Sequence, residues 1–172
     1  MKKKTDMKLI IIFESLHGTT AKCARKLSEL INCNIHIAQL KENENIRINE
    51  FDVIIIGGSI HLGVIQTRVE NFIKKNHAVL LEKKLGLYLC CMEVGENARM
   101  QFEKAYPADL RKKALVTSLF GGEFNLGKMN FFEKKLTRKL TGIKSSVSRI
   151  NEDEIRRFAE KINQFVTLRD VR

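Results

Sequence analysis

The segment Phe13-Glu14-Ser15-Leu16-His17-Gly18-Thr19-Thr20 places hydroxyls, a glycine and the start of a helical pattern directly after an apolar run. Such a stretch suits an anion. The free N–H groups of a first helical turn, the positive end of the helix and nearby hydroxyls converge on one point. A phosphate group is the expected occupant. The spacing is not GxGxxG, and no P-loop lysine follows the glycine, so NAD and ATP are disfavoured and a monophosphate remains. The competing reading is an ordinary helix N-cap, in which Ser15 or Thr19 satisfies an amide.

Two further glycine-bearing segments follow apolar runs. In Gly58-Ser59-Ile60-His61-Leu62-Gly63, two glycines flank small and apolar residues, so backbone can approach a flat ligand closely. The other begins Glu93-Val94-Gly95-Glu96. His17 and His61 would face one crevice, as cations beside an anionic ligand; as a metal pair they lack a third ligand, and no metal is expected. Cys90 and Cys91 are adjacent, but nothing in the sequence lowers a thiol pKa, and Tyr88 reads as core.

The elements that must position these segments are legible as alternating apolar runs and helical stripes. Strands are expected at 8–13, 34–40, 51–57, 85–92 and 114–120. Helices are expected from Thr19 to about Ile31, from Thr67 to about Leu81, over 131–140, and from Asn151 onward, where Asn151 and Glu154 have capping-box spacing. Residues 41–49 read as a polar loop, and 93–113 as a glycine, a helical piece and the only proline, Pro107. The result is an α/β doubly wound five-stranded parallel sheet, order 2-1-3-4-5, with helices on both faces. Ligands of such sheets bind at the topological switch point, where the loops 14–20, 58–63 and 92–97 would meet. Asp52 precedes its strand instead of ending it, which disfavours a receiver-type signalling domain.

With 172 residues, the chain is expected to form one domain, residues 1–7 being a frayed start. No run is long enough to span a bilayer, and the basic start is not followed by a signal-peptide pattern, so a cytoplasmic location is expected. Cysteines 23, 33, 90 and 91 have no CxxC spacing and read as buried thiols. The net charge of +11 admits a solvated basic surface, nucleic acid, an anionic membrane or an acidic partner.

Ile12 through Thr20, the segment from Phe51 to Gly63, and Gly121 to Leu140, where aromatics lead into a basic helix, together resemble the flavodoxin-type proteins. Within that group the chain is similar to the menaquinone-dependent protoporphyrinogen oxidases. The resemblance implies FMN, with its phosphate on Ser15, Leu16, His17, Gly18, Thr19 and Thr20. Its ring would lie against Ser59, Ile60, His61, Leu62, Gly63, Glu93, Val94 and Gly95. No catalytic residue is assigned; His61 is the one candidate. Glu14 stands where hydroxyls are usual, Leu62 where relatives often carry an aromatic, and 93–113 is shorter than the matching segment of the porphyrinogen oxidases.

The implied function is an FMN-dependent oxidoreductase passing electrons from a reduced organic substrate to a quinone. Two readings of Phe131 to Leu140 stand: it rests on an anionic membrane with its apolar face down, peripherally at the inner membrane face, or its apolar side packs on the sheet and only its lysines see solvent. One alternative is a flavodoxin electron carrier serving a protein redox partner. Another is a basic phospho-ligand or nucleic-acid binding module without flavin; the lysines lack interleaved aromatics, and no nucleic acid is expected.

Overall fold

The computed structural model describes residues 7–43, 45–142 and 145–169. The expected frayed start, apart from Met7, lies outside the described residues, as do position 44 of the polar loop and the side chain of Leu140. Lys8–Phe13 (β1), Thr19–Leu30 (α1), Asn34–Gln39 (β2), Val53–His61 (β3), Val64–Ile65 (β4), Thr67–Glu82 (α2) and Lys84–Cys90 (β5) form the first part of the fold. Gly95–Ala105 (α3), Ala108–Lys113 (α4), Val116–Leu119 (β6), Glu123–Phe124 (β7), Phe131–Thr141 (α5), Val147–Ser148 (β8) and Glu152–Arg169 (α6) complete it. The main sheet runs β2-β1-β3-β5-β6, all parallel, with β4 antiparallel on β3 off that path. The expected order is therefore present, with one added hairpin strand shifting the numbering.

Each apolar strand serves both faces because successive side chains point to opposite sides. From β1, Leu9, Ile11 and Phe13 enter one core with Cys23, Ala24 and Leu27 of α1 and Ile155, Phe158 and Ile162 of α6. Ile10 and Ile12 enter the other, with Val69 and Ile73 of α2, Phe102 of α3 and Leu110 of α4. Pro107 is the N-cap of α4, so the expected single helical piece of 93–113 is broken into two helices.

Three expectations need correction. Residues 58–63 are not a free loop: Gly58 to His61 continue β3, Gly58 and Ser59 pairing with β5 and Ile60 and His61 with β4, and the chain turns at Leu62 and Gly63. Gly57 and Gly58 do not end the strand because packing demands them there. A Cβ on Gly57 would lie 2.0 Å from the Tyr88 ring, and one on Gly58 2.6 Å from Ile65 Cδ1. Second, β7 and β8 form a small antiparallel pair that short runs of mixed polarity did not signal. Third, α5 has no fully buried side chain among its described residues, and Phe131, Phe132 and Leu136 face outward. Periodicity showed that helix to be amphipathic but not which way its apolar side turns.

Candidate functional site

β1 ends at Phe13, which pairs with Gln39 of β2 and Gly57 of β3. That register brings Gln39 to Glu14. The Glu14 carboxylate is only 5% exposed. Its Oε1 accepts from the Ser15 N–H (3.0 Å) and from Gln39 Nε2 (2.9 Å), so it is turned toward β2 as the anchor of the loop. Its Oε2 has no hydrogen-bond partner and lies 3.9 Å from Arg68 Nε. The residue that looked least suited to an anion loop is thus the one that fixes the loop's course.

Ser15 Oγ accepts from the N–H groups of Gly18 (3.1 Å) and Ala21 (3.4 Å), so its hydroxyl is a cap within the loop. Gly18, the N-cap of α1, has φ +94°, a left-handed backbone that favours glycine. Helical geometry leaves the N–H groups of Thr19 and Thr20 without an intrahelical acceptor. Thr20 is buried, its hydroxyl has no partner, and its carbonyl accepts from Tyr88 Oη at 3.3 Å. Leu16 projects outward, 58% exposed.

Gln66, just before α2, ties the first loop to the hairpin. Its Oε1 accepts from the Ser59 N–H at 2.7 Å, and its Nε2 donates to the Glu14 carbonyl at 3.3 Å and to Ser59 Oγ. Leu62 (φ +50°) and Gly63 (φ +84°) occupy the two turn positions, both with the positive φ that a type I′ hairpin requires. Leu62 is 68% exposed at the tip, and Ile60 packs back against the core of α2. The rings of His17 and His61 stand 6.1 Å apart, so both histidines do face one crevice.

The third segment begins beside the hairpin because Cys90 pairs with Ser59. Glu93, Val94 and Gly95 are brought near the other two segments by that register, without a hydrogen bond to them. Val94 is exposed, and Gly95 has φ +59°. Beneath this rim the Cys90 and Cys91 thiols are buried. Pairing with Cys23 and burial push Cys90 up, while burial and the neighbouring Glu93 charge push Cys91 up to about 11.

Sequence reasoning missed Gln39 and Gln66, and it also missed Lys128, between β7 and α5, and Glu133 in the first turn of α5. The Lys128 ammonium stands 2.7 Å from where a Cβ on Gly18 would be. Glu133 closes a reciprocal capping box with Asn130 and lies 3.8 Å from His17 Nε2. The capping-box spacing of Asn130 and Glu133 was readable in the sequence. The placement of Lys128 was not, because it depends on a contact between segments far apart in the chain.

The rim therefore has two ends. One is a turn with N–H groups and a cation; the other carries the exposed apolar side chains of Leu62, Val64 and Val94. No helix among the described residues is long and apolar enough to cross a membrane. Among the described residues, no group of three or more His, Cys, Asp or Glu side chains gathers to hold a metal.

Comparisons with known proteins agree with this architecture. No curated protein matches the sequence. Flavodoxin 1 from Bacillus cereus superposes with a TM-score of 0.58 at 15% identity, covering 93% of this chain and 97% of that one. The two-electron reduced flavodoxin of Megasphaera elsdenii gives 0.58 at 14% identity, covering 91% and 98%. Rubredoxin oxygen:oxidoreductase from Desulfovibrio gigas gives 0.62 at 14% identity, covering 97% of this chain but only 38% of that enzyme. The chain spans well under half the length of that protein. At these identities the likeness concerns the fold. Flavodoxin-fold homologues bind FMN. The flavodoxin domain family matches residues 10–149, and the chain belongs to that family.

Proposed function

We propose that this chain binds FMN at the rim and transfers electrons between redox partners, as a flavodoxin-type carrier. The observation that carries this is the pairing of an anion-ready turn with an exposed apolar surface at the same end of the sheet. The residues fit the cofactor. The N–H groups of Thr19 and Thr20 and the Lys128 ammonium would hold the phosphate. Glu14 does not oppose it directly, since its carboxylate is engaged by Ser15 and Gln39 on the β2 side. Leu62, Val94 and Ile60 would shield the ring, with His61 at its edge. When bound, FMN supplies reversible one- and two-electron redox chemistry; the protein contributes binding, orientation and electrostatic setting.

The chain's own groups act in three ways. Glu14 and Gln66 hold the first turn and the hairpin at a fixed separation. Leu62 and Val94 exclude water from one region of the rim. The net charge of +11 favours encounter with an acidic redox protein and makes that encounter weaken with salt.

A quinone-linked, protoporphyrinogen oxidase-like activity is the second reading. It is favoured by α5, whose Phe131 (73% exposed) and Phe132 (80% exposed) stand beside Lys134, Lys135, Arg138 and Lys139, as a contact with an anionic lipid surface would need. The test uses the FMN-loaded protein, photoreduced without oxygen. Reoxidation by an acidic redox protein, fastest at low salt, supports the carrier. Turnover of porphyrinogen with a quinone, stimulated by anionic vesicles, supports the second reading. A protein that takes up no flavin removes both.

A further inference from the structure

We propose that Lys128 is a dedicated phosphate-binding residue, carried in from the segment between β7 and α5 to close the first turn. The inference rests on the FMN reading above and concerns the residues that make it selective.

Lys128 and the N-terminus of α1 form an electrostatic mismatch. The Lys128 Nζ stands 2.7 Å from the ideal Cβ position of Gly18, the N-cap of α1. A helix N-terminus carries partial positive charge, and a cation there is unfavourable. Among the described residues, Lys128 makes no ion pair that would draw it to this place. Neither nearby carboxylate pairs with it: Glu14 Oε1 accepts from Ser15 and Gln39 while its Oε2 lies 3.9 Å from Arg68 Nε, and Glu133 accepts from the Asn130 N–H at 2.8 Å and lies toward His17. Three polar atoms of the 14–20 stretch are buried without a hydrogen-bond partner: Glu14 Oε2, on the Arg68 side, and two that can donate to an anion, Thr20 Oγ1 and His17 Nε2. An anion seated between the α1 N–H groups and Lys128 turns this repulsion into attraction from both sides.

The local backbone keeps the cation close. Lys128 lies on a single helical turn, Leu126–Lys128, whose Leu126 is buried and whose Leu126 N–H donates to Ser146 Oγ at 3.0 Å. Met129 is buried on its other side. The side chain thus starts from fixed backbone, and only its own stem has to be ordered. Gly18 has no Cβ, which leaves room for the ammonium over the turn.

The prediction is selectivity for the phosphate over the ring. In equilibrium titrations of the apoprotein, Lys128→Gln should weaken FMN by about tenfold, the scale of one charge-assisted contact, and leave riboflavin unchanged. Lys8→Gln, exposed at the opposite end of β1 from the turn, removes the same net charge and should change FMN affinity by less than about twofold. An unchanged FMN affinity in Lys128→Gln, or an equal loss in Lys8→Gln, overturns the proposal. A second readout is the shift in apoprotein melting temperature caused by inorganic phosphate. The shift should be present in the wild type and lost in Lys128→Gln; an equal shift in both counts against Lys128. If the wild type binds neither flavin, the FMN reading falls, and the phosphate shift alone decides the role of Lys128.

Discussion

The first turn and the hairpin tip lie on one rim and are built in opposite ways. The turn is anchored from below: Glu14 is buried, Ser15 caps two N–H groups, and Gln39 and Gln66 brace it from two neighbouring segments. The tip is held by Gln66 on Ser59 at its base and by the short β3–β4 pairing, and beyond that Leu62 stands exposed in a left-handed conformation. A preorganised polar site and a strained apolar one perform different tasks. The turn is suited to deciding whether a phosphate binds, and the tip to covering a ring and meeting a partner. Strained residues persist where the surrounding structure holds them, commonly at functional sites.

The largest expected effect breaks the turn. Glu14→Ala removes the acceptor for the Ser15 N–H and for Gln39, leaving two donors in a largely buried setting, and should cost about 2 kcal/mol of stability in a denaturant titration. Glu14→Gln keeps an acceptor and should cost less. If the alanine variant is as stable as the parent, the turn is not anchored by this carboxylate.

A smaller effect with two opposite signs is expected at the tip. Asparagine tolerates the left-handed region better than leucine, so Leu62→Asn should gain up to about 1 kcal/mol of stability. The same change removes apolar cover and should weaken FMN and riboflavin alike, by about fivefold. That equality separates the tip from Lys128, whose loss should touch FMN alone. A stable variant with undiminished flavin affinity would remove the ring-covering role of Leu62.

The smallest effect is an absence of reaction. With the Cys91 thiol pushed up to about 11 by burial and the Glu93 charge, almost none is thiolate at pH 8. Iodoacetamide should leave the folded protein unmodified there, with labelling of Cys91 rising only toward that pH and Glu93→Gln bringing the onset lower. Rapid labelling at pH 8, read by mass spectrometry, would show that the rim opens at Cys91.

Much of this arrangement was legible in the residues. The uninterrupted apolar runs of β1, β3 and β5 identified strands buried on both faces, and the helical stripe after Thr19 identified α1. Together they located the switch point. What remained hidden was long-range geometry. Gly58 read as the start of a loop because the crowding from Ile65 cannot be seen in a local window. Glu14 looked misplaced because the Phe13–Gln39 register that turns it aside is a property of the sheet. Lys128 was one lysine among many until the segment after β7 carried it to Gly18. The outward turn of Phe131 and Phe132 was equally out of reach, since an amphipathic period has no sign.

The claim on which the account rests is that this rim holds FMN, and an equilibrium titration of the apoprotein monitored by flavin fluorescence tests it most directly. The account predicts saturable binding of one FMN per chain, with riboflavin binding more weakly by the contribution of the phosphate turn. FMN fluorescence that stays unchanged at a chain concentration well above that of the flavin would contradict it.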